Sequence, residues 1–160
     1  MEIKILISIL VSIIILFFTY SAYNYTKNLE ECECVSSLKS NIDRIENIEL
    51  FLIVMQVIGI STNIIVHLFG FDYKKMKKSS LKIFGILMGI YGIILISILI
   101  NFIYNVYTFG TNLPSNCGCA DKWQKDILYV QAGWYSFTTI SAILLLTLLM
   151  YRMSSDRIKK

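Results

Sequence analysis

Residues 83–107 read IFGILMGIYGIILISILINFIYNVY and contain no acidic or basic side chain. A helix needs about 20 mostly apolar residues to cross a bilayer, because each residue rises ~1.5 Å through a ~30 Å hydrocarbon core. Three further apolar runs lie at about 5–22, 48–70 and 129–151, and their interiors also lack charges. The sequence therefore predicts an all-α membrane protein, with a single membrane domain over 1–160 that forms a four-transmembrane-helix bundle.

Composition agrees with this interpretation. Apolar residues make up 56% of the chain and charged residues 16%, whereas an average soluble protein has roughly 25% charged residues. The first run is longer than the ~7–15 apolar residues of a signal peptide, and no convincing small-residue cleavage site follows it. We therefore interpret it as an uncleaved first span. Aromatic residues gather near the ends of the runs, as they do at membrane interfaces: Tyr20, Tyr23, Tyr104, Tyr107, Tyr129, Trp134 and Tyr151.

The basic residues predict an orientation. The loop at 71–82 and the two termini together hold ten basic and three acidic residues. The loops at 23–47 and 108–128, counted with Glu49, hold five basic and eight acidic residues. Lys and Arg favour the cytoplasmic side of a membrane. We therefore expect both termini and loop 71–82 to be cytoplasmic, and the other two loops to lie outside or in a lumen.

The two outer loops share a pattern that suggests an internal repeat. One contains Cys32-Glu33-Cys34 followed by Leu38 and Ile42, and the other contains Cys117-Gly118-Cys119 followed by Trp123 and Ile127. Matching positions are 85 residues apart throughout. The bundle would then consist of two similar hairpins in the same orientation, a parallel repeat.

Each cysteine pair precedes an apolar stripe at helical spacing. The first stripe is Leu38, Ile42 and Ile45, and the second is Trp123, Ile127 and Val130. The second and fourth helices are therefore expected to begin ahead of their apolar runs.

The four cysteines are the only chemically distinctive feature of the chain, and all of them lie on the side predicted to be outside. Disulfides form in oxidising compartments, and two cysteines one residue apart rarely join each other because the geometry is strained. Bridges between the loops are expected to pair Cys32 and Cys34 with Cys117 and Cys119, and the sequence does not choose between the two pairings. A zinc site, a redox-active set and free or palmitoylated thiols remain alternatives, although C-x-C is shorter than usual zinc-ligand spacing.

Polar and small residues inside the runs predict helix packing. Gln56, Gly59, Asn63 and His67 lie on roughly one face of the second helix, and the third helix carries Gly85, Gly89 and Gly92. Small residues let membrane helices approach closely, and amides hydrogen-bond between helices. The alternative is a polar pore or proton path through Asn63 and His67. No motif for a catalytic residue, a resident metal or a cofactor accompanies these residues.

The segment from Cys117 to Ile127, CGCADKWQKDI, resembles a pattern in small four-span membrane proteins of nucleocytoplasmic large DNA viruses. In that pattern C-x-C precedes a tryptophan, basic or polar residues and an apolar helix start. The first copy departs from it, with Leu38 at the tryptophan position. The resemblance implies a component of a virion's internal membrane or envelope, or of the host endoplasmic reticulum, without a catalytic residue.

The layout alone is similar to the bacterial disulfide bond protein B family and the vitamin K epoxide reductases. These are four-helix membrane oxidoreductases that pass electrons between cysteine pairs and a quinone, but their C-x-x-C motif is absent here. The sequence thus favours a non-enzymatic tetraspan protein with a structural or interaction role, and a membrane thiol-disulfide oxidoreductase is the alternative. The expected partners are the lipid bilayer and lateral membrane proteins or further copies of the chain, and no nucleic acid.

Overall fold

The computed structural model describes residues 3–69, 78–114 and 116–158, with side chains over 6–65, 87, 89–114 and 116–148. Four α-helices account for most of these residues: α1, Ile3–Leu29; α2, Lys39–Phe69; α3, Lys78–Asn112; and α4, Trp123–Ile158. A 3-10 helix, Glu33–Leu38, leads directly into α2. The described residues contain no strand, so the predicted all-α class is confirmed.

The helices are longer than the apolar runs that predicted them. They contain 27 to 36 residues, or about 40 to 54 Å at the rise of an α-helix. Most residues of the two segments assigned to the outer loops are therefore helical. In these segments, only residues 30–38 and 113–122 lie outside the α-helices. Of the predicted loop at 71–82, residues 78–82 belong to α3, and 71–77 lie outside the described residues.

Within the described residues, three helices are long and apolar enough to cross a membrane, judged by length and composition. The qualifying segments are Leu6–Leu29, Glu33–Ile65 and Gly89–Asn112. The fourth helix, Trp123–Ile158, is the longest, and its side chains are described only as far as Leu148. The chain is therefore helical and membrane-like in character, and a span at 129–151 remains a prediction.

The helices form a closed ring. α1 packs against α2 and α4, and α3 also packs against α2 and α4. Neighbours in the chain are thus neighbours in space, as the short connections at 30–38 and 113–122 require.

The packed core lies at the end of the ring that carries the cysteines. Its largest fully buried apolar side chains are Leu29, Val35, Ile42, Ile45, Phe102, Val106, Phe109 and Leu128. Away from this end the helices present apolar side chains outward, and Leu10 and Leu148 are 58% and 63% exposed. Lipid tails are as apolar as leucine, so these surfaces need no protein partner in a bilayer.

The two apolar stripes differ in burial. Leu38, Ile42 and Ile45 are buried and Ile127 is half-buried against the core, but Trp123 and Val130 are 58% and 73% exposed. α4 instead buries Leu128 and Ala132. The next residue along an α-helix points about 100° away, so a one-residue shift turns a different face inward. The similarity between the two halves therefore does not extend to the buried face of α4.

Candidate functional site

The first cysteine turn forms where α1 ends. The N–H of Cys32 donates to the carbonyl of Leu29 at 3.0 Å, and the carbonyl of Cys32 accepts from the N–H of Val35 at 3.2 Å. These bonds reverse the chain within a few residues and start the 3-10 helix at Glu33. Leu29 and Val35 are both buried, so the turn is held from beneath by apolar contacts.

The second cysteine turn follows Pro114, which lies just beyond the end of α3. Proline lacks an N–H and cannot continue a helix, and here its carbonyl accepts from the N–H of Cys117 at 3.2 Å. The carbonyl of Cys117 then accepts from the N–H of Ala120 at 3.0 Å. Two consecutive tight turns thereby bring Cys117 and Cys119 back over the end of the bundle, and α4 begins at Trp123.

Two disulfides join these turns. Cys32 is bonded to Cys119 and Cys34 to Cys117, with Cα–Cα distances of 6.3 and 5.8 Å. Both distances lie within the usual range for a disulfide. The cysteines are thus bridged between the loops. The sequence left two pairings open, and the structure has the crossed pairing, in which the first cysteine of each loop is bonded to the second cysteine of the other.

The crossed pairing agrees with the internal repeat. A two-fold axis that exchanges positions 85 residues apart would exchange Cys32 with Cys117 and Cys34 with Cys119. Under this exchange the Cys32–Cys119 bridge becomes the Cys117–Cys34 bridge. Each disulfide is therefore the counterpart of the other, as expected for two similar hairpins that meet at their outer ends.

The sulfur atoms lie in one cluster. The sulfur of Cys119 is 3.2 Å from that of Cys34 and 3.7 Å from that of Cys117. Because bonded sulfurs carry no hydrogen, these are non-bonded contacts and not hydrogen bonds. Cys117 is buried, Cys32 and Cys34 are half-buried, and Cys119 is exposed, so Cys119 is the cysteine most open to solvent.

A metal ion is a chemical alternative for the reduced cluster. Three of its sulfurs, those of Cys34, Cys117 and Cys119, lie within 4.8 Å of one another. Only thiolates bind metal, so the bridged state offers no zinc ligands. A zinc site would require reduction of both disulfides first.

A hydrogen bond from α1 strengthens the junction between the turns. The hydroxyl of Tyr25 donates to the carbonyl of Ala120 at 2.7 Å, and both residues are buried. This contact joins residues 95 apart in the chain. It ties the last turns of α1 to the second cysteine turn independently of the disulfides.

Charged residues surround the cysteine turns. Glu30, Glu31, Glu33 and Lys39 line a shallow groove beside Cys32. Near the second turn the Lys125 ammonium donates to the Asp121 carboxylate at 2.6 Å. This hydrogen bond and the positive charge of Lys125 lower the pKa of Asp121, and the same hydrogen bond and the negative charge of Asp121 raise the pKa of Lys125. The exposed surface around the bridges is thus mainly acidic.

The residues of the predicted packing face are spread along the bundle. Gln56 is half-buried and its amide donates to the Thr19 hydroxyl of α1 at 3.1 Å. Asn63 is also half-buried. A side chain added at Gly59, Gly89 or Gly92 would meet nothing within 4 Å, so among the described residues no other helix packs closely on them. His67 and Gly85 belong to α2 and α3, and the surroundings of both lie outside what the structure describes.

A close approach does occur at Gly110, which the sequence did not single out. A Cβ atom there would lie 3.1 Å from the hydroxyl oxygen of Tyr129 and 3.2 Å from its ring. Gly110 therefore permits the contact between the end of α3 and the start of α4.

The sequence also did not indicate that two polar side chains are buried. Glu49, counted with the outer acidic residues, has 0% exposure and accepts a hydrogen bond from Gln131 of α4 at 3.1 Å. Asn105 of α3 is equally buried, and its side-chain oxygen accepts from Asn41 of α2 at 3.1 Å. The signal for Glu49 is its position at the edge of an apolar run, one helical turn after buried Ile45.

Comparison of the chain with protein-family models, with curated proteins and with solved structures finds no match in any of the three.

Proposed function

We propose that the chain is a non-enzymatic tetraspan membrane protein whose outer end is a rigid, disulfide-linked platform. The observation that carries the proposal is the pair of crossed bridges over a packed core. Cys32–Cys119 and Cys34–Cys117 join the two hairpins where Leu29, Val35, Phe109 and Leu128 are buried beneath them. Such an arrangement fixes a surface and leaves its chemistry inert, as a structural or interaction role requires.

Several features support four spans with both termini in the cytoplasm. The outward side chains of α4 include Ile140, Leu144 and Leu148, which are 58% to 63% exposed and suit contact with lipid. Tyr104, Tyr107 and Trp134 are 61% to 70% exposed near the cysteine end, where an aromatic belt would lie. The lysines at 71–82 would then be cytoplasmic, and the acidic platform would face outside or into a lumen.

The resemblance of the second cysteine turn to viral four-span proteins supports a location in a virion's internal membrane or envelope, or in the host endoplasmic reticulum. Its partners there would be the lipid bilayer, neighbouring membrane proteins or other copies of the chain. The acidic groove formed by Glu30, Glu31 and Glu33 beside Cys32 is the surface best suited to a basic outer partner.

The topology is tested by labelling single cysteines with a membrane-impermeant maleimide, in a variant with all four native cysteines replaced by serine. A cysteine replacing Ser37 in the first outer turn should react only from the outer side. The matched replacement of Ser79 at the start of α3 should react only after permeabilisation. Reaction of both from the same side would contradict the four-span arrangement.

The disulfide platform is tested by mass spectrometry of the alkylated, detergent-solubilised protein with and without reductant. We expect Cys32–Cys119 and Cys34–Cys117 peptides without metal, and resistance to mild thiols. A mixture of pairings that exchange readily would contradict an inert platform.

The alternative function, a thiol-disulfide oxidoreductase, would act at the sulfur cluster. The sulfur of exposed Cys119 lies 3.2 Å from that of Cys34, so an external thiolate attacking Cys119 would release Cys32 next to a second bridge. An enzyme of this kind would pass the electron pair to a quinone. Rapid exchange with a dithiol peptide and a co-purifying quinone would support this alternative over the platform.

A further inference from the structure

Glu49 is fully buried inside the helix bundle. Its side chain has 0% exposure, and its Oε2 atom is 3.1 Å from the amide nitrogen of Gln131 on α4. The same nitrogen is 3.1 Å from the hydroxyl oxygen of Tyr135. The second carboxyl oxygen, Oε1, has no hydrogen-bond partner among the described residues.

A negative charge at this position would lack compensation. An ionised carboxylate that is buried without a cationic partner costs several kcal/mol or more. The ion pair in the described part of the chain joins Lys125 and Asp121 on the surface, and no lysine or arginine there pairs with Glu49.

The surroundings of Glu49 from the other helices are also uncharged. Tyr135 is the titratable group that faces it from α4. Thr19 of α1 lies beside the Tyr135 hydroxyl, and Phe102 of α3 places its ring 5.5 Å from the Tyr135 ring. A neutral acid is therefore the form of Glu49 that these neighbours accommodate.

The Gln131 amide can serve either form of the carboxyl group. With its nitrogen toward Glu49 and Tyr135, it donates to an ionised carboxylate and to the phenol oxygen. Rotated by half a turn, it places its oxygen there, and that oxygen accepts from a protonated carboxyl and from the phenol O–H. The rotated form satisfies both hydroxyl groups without any net charge.

We propose that Glu49, Gln131 and Tyr135 form a proton-binding site inside the helix bundle, in which Glu49 holds the proton and its O–H donates a hydrogen bond to the Gln131 amide oxygen. The site links α2 to α4 across the ring and is independent of the disulfides. Removal of the proton leaves a buried negative charge on Glu49. Proton binding therefore favours the packed arrangement of α2 and α4.

Infrared spectroscopy of the detergent-solubilised chain at neutral pH tests the site, because a protonated carboxyl group has a carbonyl-stretch band that carboxylates lack. We expect this band in the wild-type protein, shifted in heavy water, and absent after Glu49→Gln. The matched control Glu33→Gln, at an exposed outer position, should retain it. Gln131→Leu should move the band to higher frequency, because the carboxyl group loses its hydrogen-bond acceptor.

A wild-type protein without the band, or a band unchanged by Glu49→Gln, would overturn the proposal. If Glu49 were ionised and bound to a metal cation, the wild-type protein would lack the band. If Glu49→Gln does not fold, glutamate labelled at its side-chain carboxyl carbon supplies the assignment in the wild-type protein. The band must then shift with labelled glutamate, and a band that shifts only with labelled aspartate would also overturn the proposal.

Discussion

Tyr25 and Asp121 both act on the second cysteine turn, and they differ in how much burial strengthens their interactions. The Tyr25 hydroxyl and the Ala120 carbonyl are buried. If either group lost its partner, water could not replace the missing hydrogen bond. Asp121 is exposed, and solvent screens its pairing with Lys125. A buried neutral hydrogen bond is therefore expected to contribute more to stability here than an exposed ion pair.

We expect Tyr25→Phe to lower the free energy of unfolding by about 1–2 kcal/mol, because it leaves the buried Ala120 carbonyl without its donor. Unfolding by sodium dodecyl sulfate in mixed micelles would measure the loss. The matched control is Tyr23→Phe on the same helix, since the Tyr23 hydroxyl makes no hydrogen bond with the described residues. Equal effects of the two substitutions would show that the Tyr25 contact is not stabilising.

The Asp121–Lys125 pair predicts a specific dependence on pH. Because the pKa of Asp121 is lowered in the folded protein, its stabilising contribution is present at neutral pH and is lost as pH falls through that lowered pKa. We expect Lys125→Ala to return the pKa of Asp121 toward its ordinary value in a carboxyl titration followed by NMR. Stability at neutral pH should change little, and an unaltered titration would contradict the pairing.

The helix pairs of the ring are held by different kinds of contact. α3 and α4 meet closely at Gly110, where the Tyr129 side chain lies against the glycine. α2 and α3 are joined by Asn41 and Asn105, and α1 and α2 by Gln56 and Thr19. Such amide bonds contribute roughly 0.6–2 kcal/mol each between membrane helices, so they specify which faces meet in addition to stabilising them.

Two glycines near the α3–α4 contact provide a matched test. Alanine improves on glycine in a helix by up to about 1 kcal/mol. At Gly133 the added methyl group meets nothing within 4 Å, so Gly133→Ala should be neutral or stabilising. At Gly110 it meets Tyr129 at 3.1 Å, so Gly110→Ala should be less stable than Gly133→Ala by roughly 1 kcal/mol or more.

Thermal or detergent unfolding of both variants would measure this difference. Gly110→Ala combined with Tyr129→Leu should recover part of the loss, because the shorter side chain makes room for the methyl group. Equal stability of the two single variants would mean that α3 and α4 do not approach as closely as described.

At the scale of the whole molecule, the disulfides close most of the chain into a loop. They join residues 87 and 83 apart in sequence, and closing a loop of this length contributes about 4 kcal/mol in the chain-entropy model. Once one bridge has formed, the other closes only a small ring within the same cluster. The two bridges are therefore expected to be largely redundant for stability.

Double variants would test this redundancy. Cys32→Ser with Cys119→Ser, and Cys34→Ser with Cys117→Ser, should each retain most of the stability of the wild-type protein. Replacement of all four cysteines should lower the free energy of unfolding by about 4 kcal/mol. A four-serine variant as stable as the wild-type protein would show that packing alone holds the outer end together.

Features that depend on short stretches of sequence were accessible before the structure. The long helices follow from apolar runs, since bilayer thickness sets the length that such a run requires. The presence of bridges between the cysteine turns followed from matching C-x-C motifs, because two cysteines so close in sequence rarely join each other. The start of α2 and α4 ahead of their apolar runs followed from the helical spacing of the apolar residues after each cysteine pair.

Tertiary packing decided the rest. The crossed pairing of Cys32 with Cys119 depends on how the two turns face each other, which spacing does not specify. α4 buries Leu128 and Ala132 and leaves Trp123 and Val130 exposed, because its rotation is set by neighbouring helices. Glu49 is buried because Gln131 and Tyr135, 82 or more residues away in the chain, meet it across the ring, whereas local periodicity describes one helix at a time.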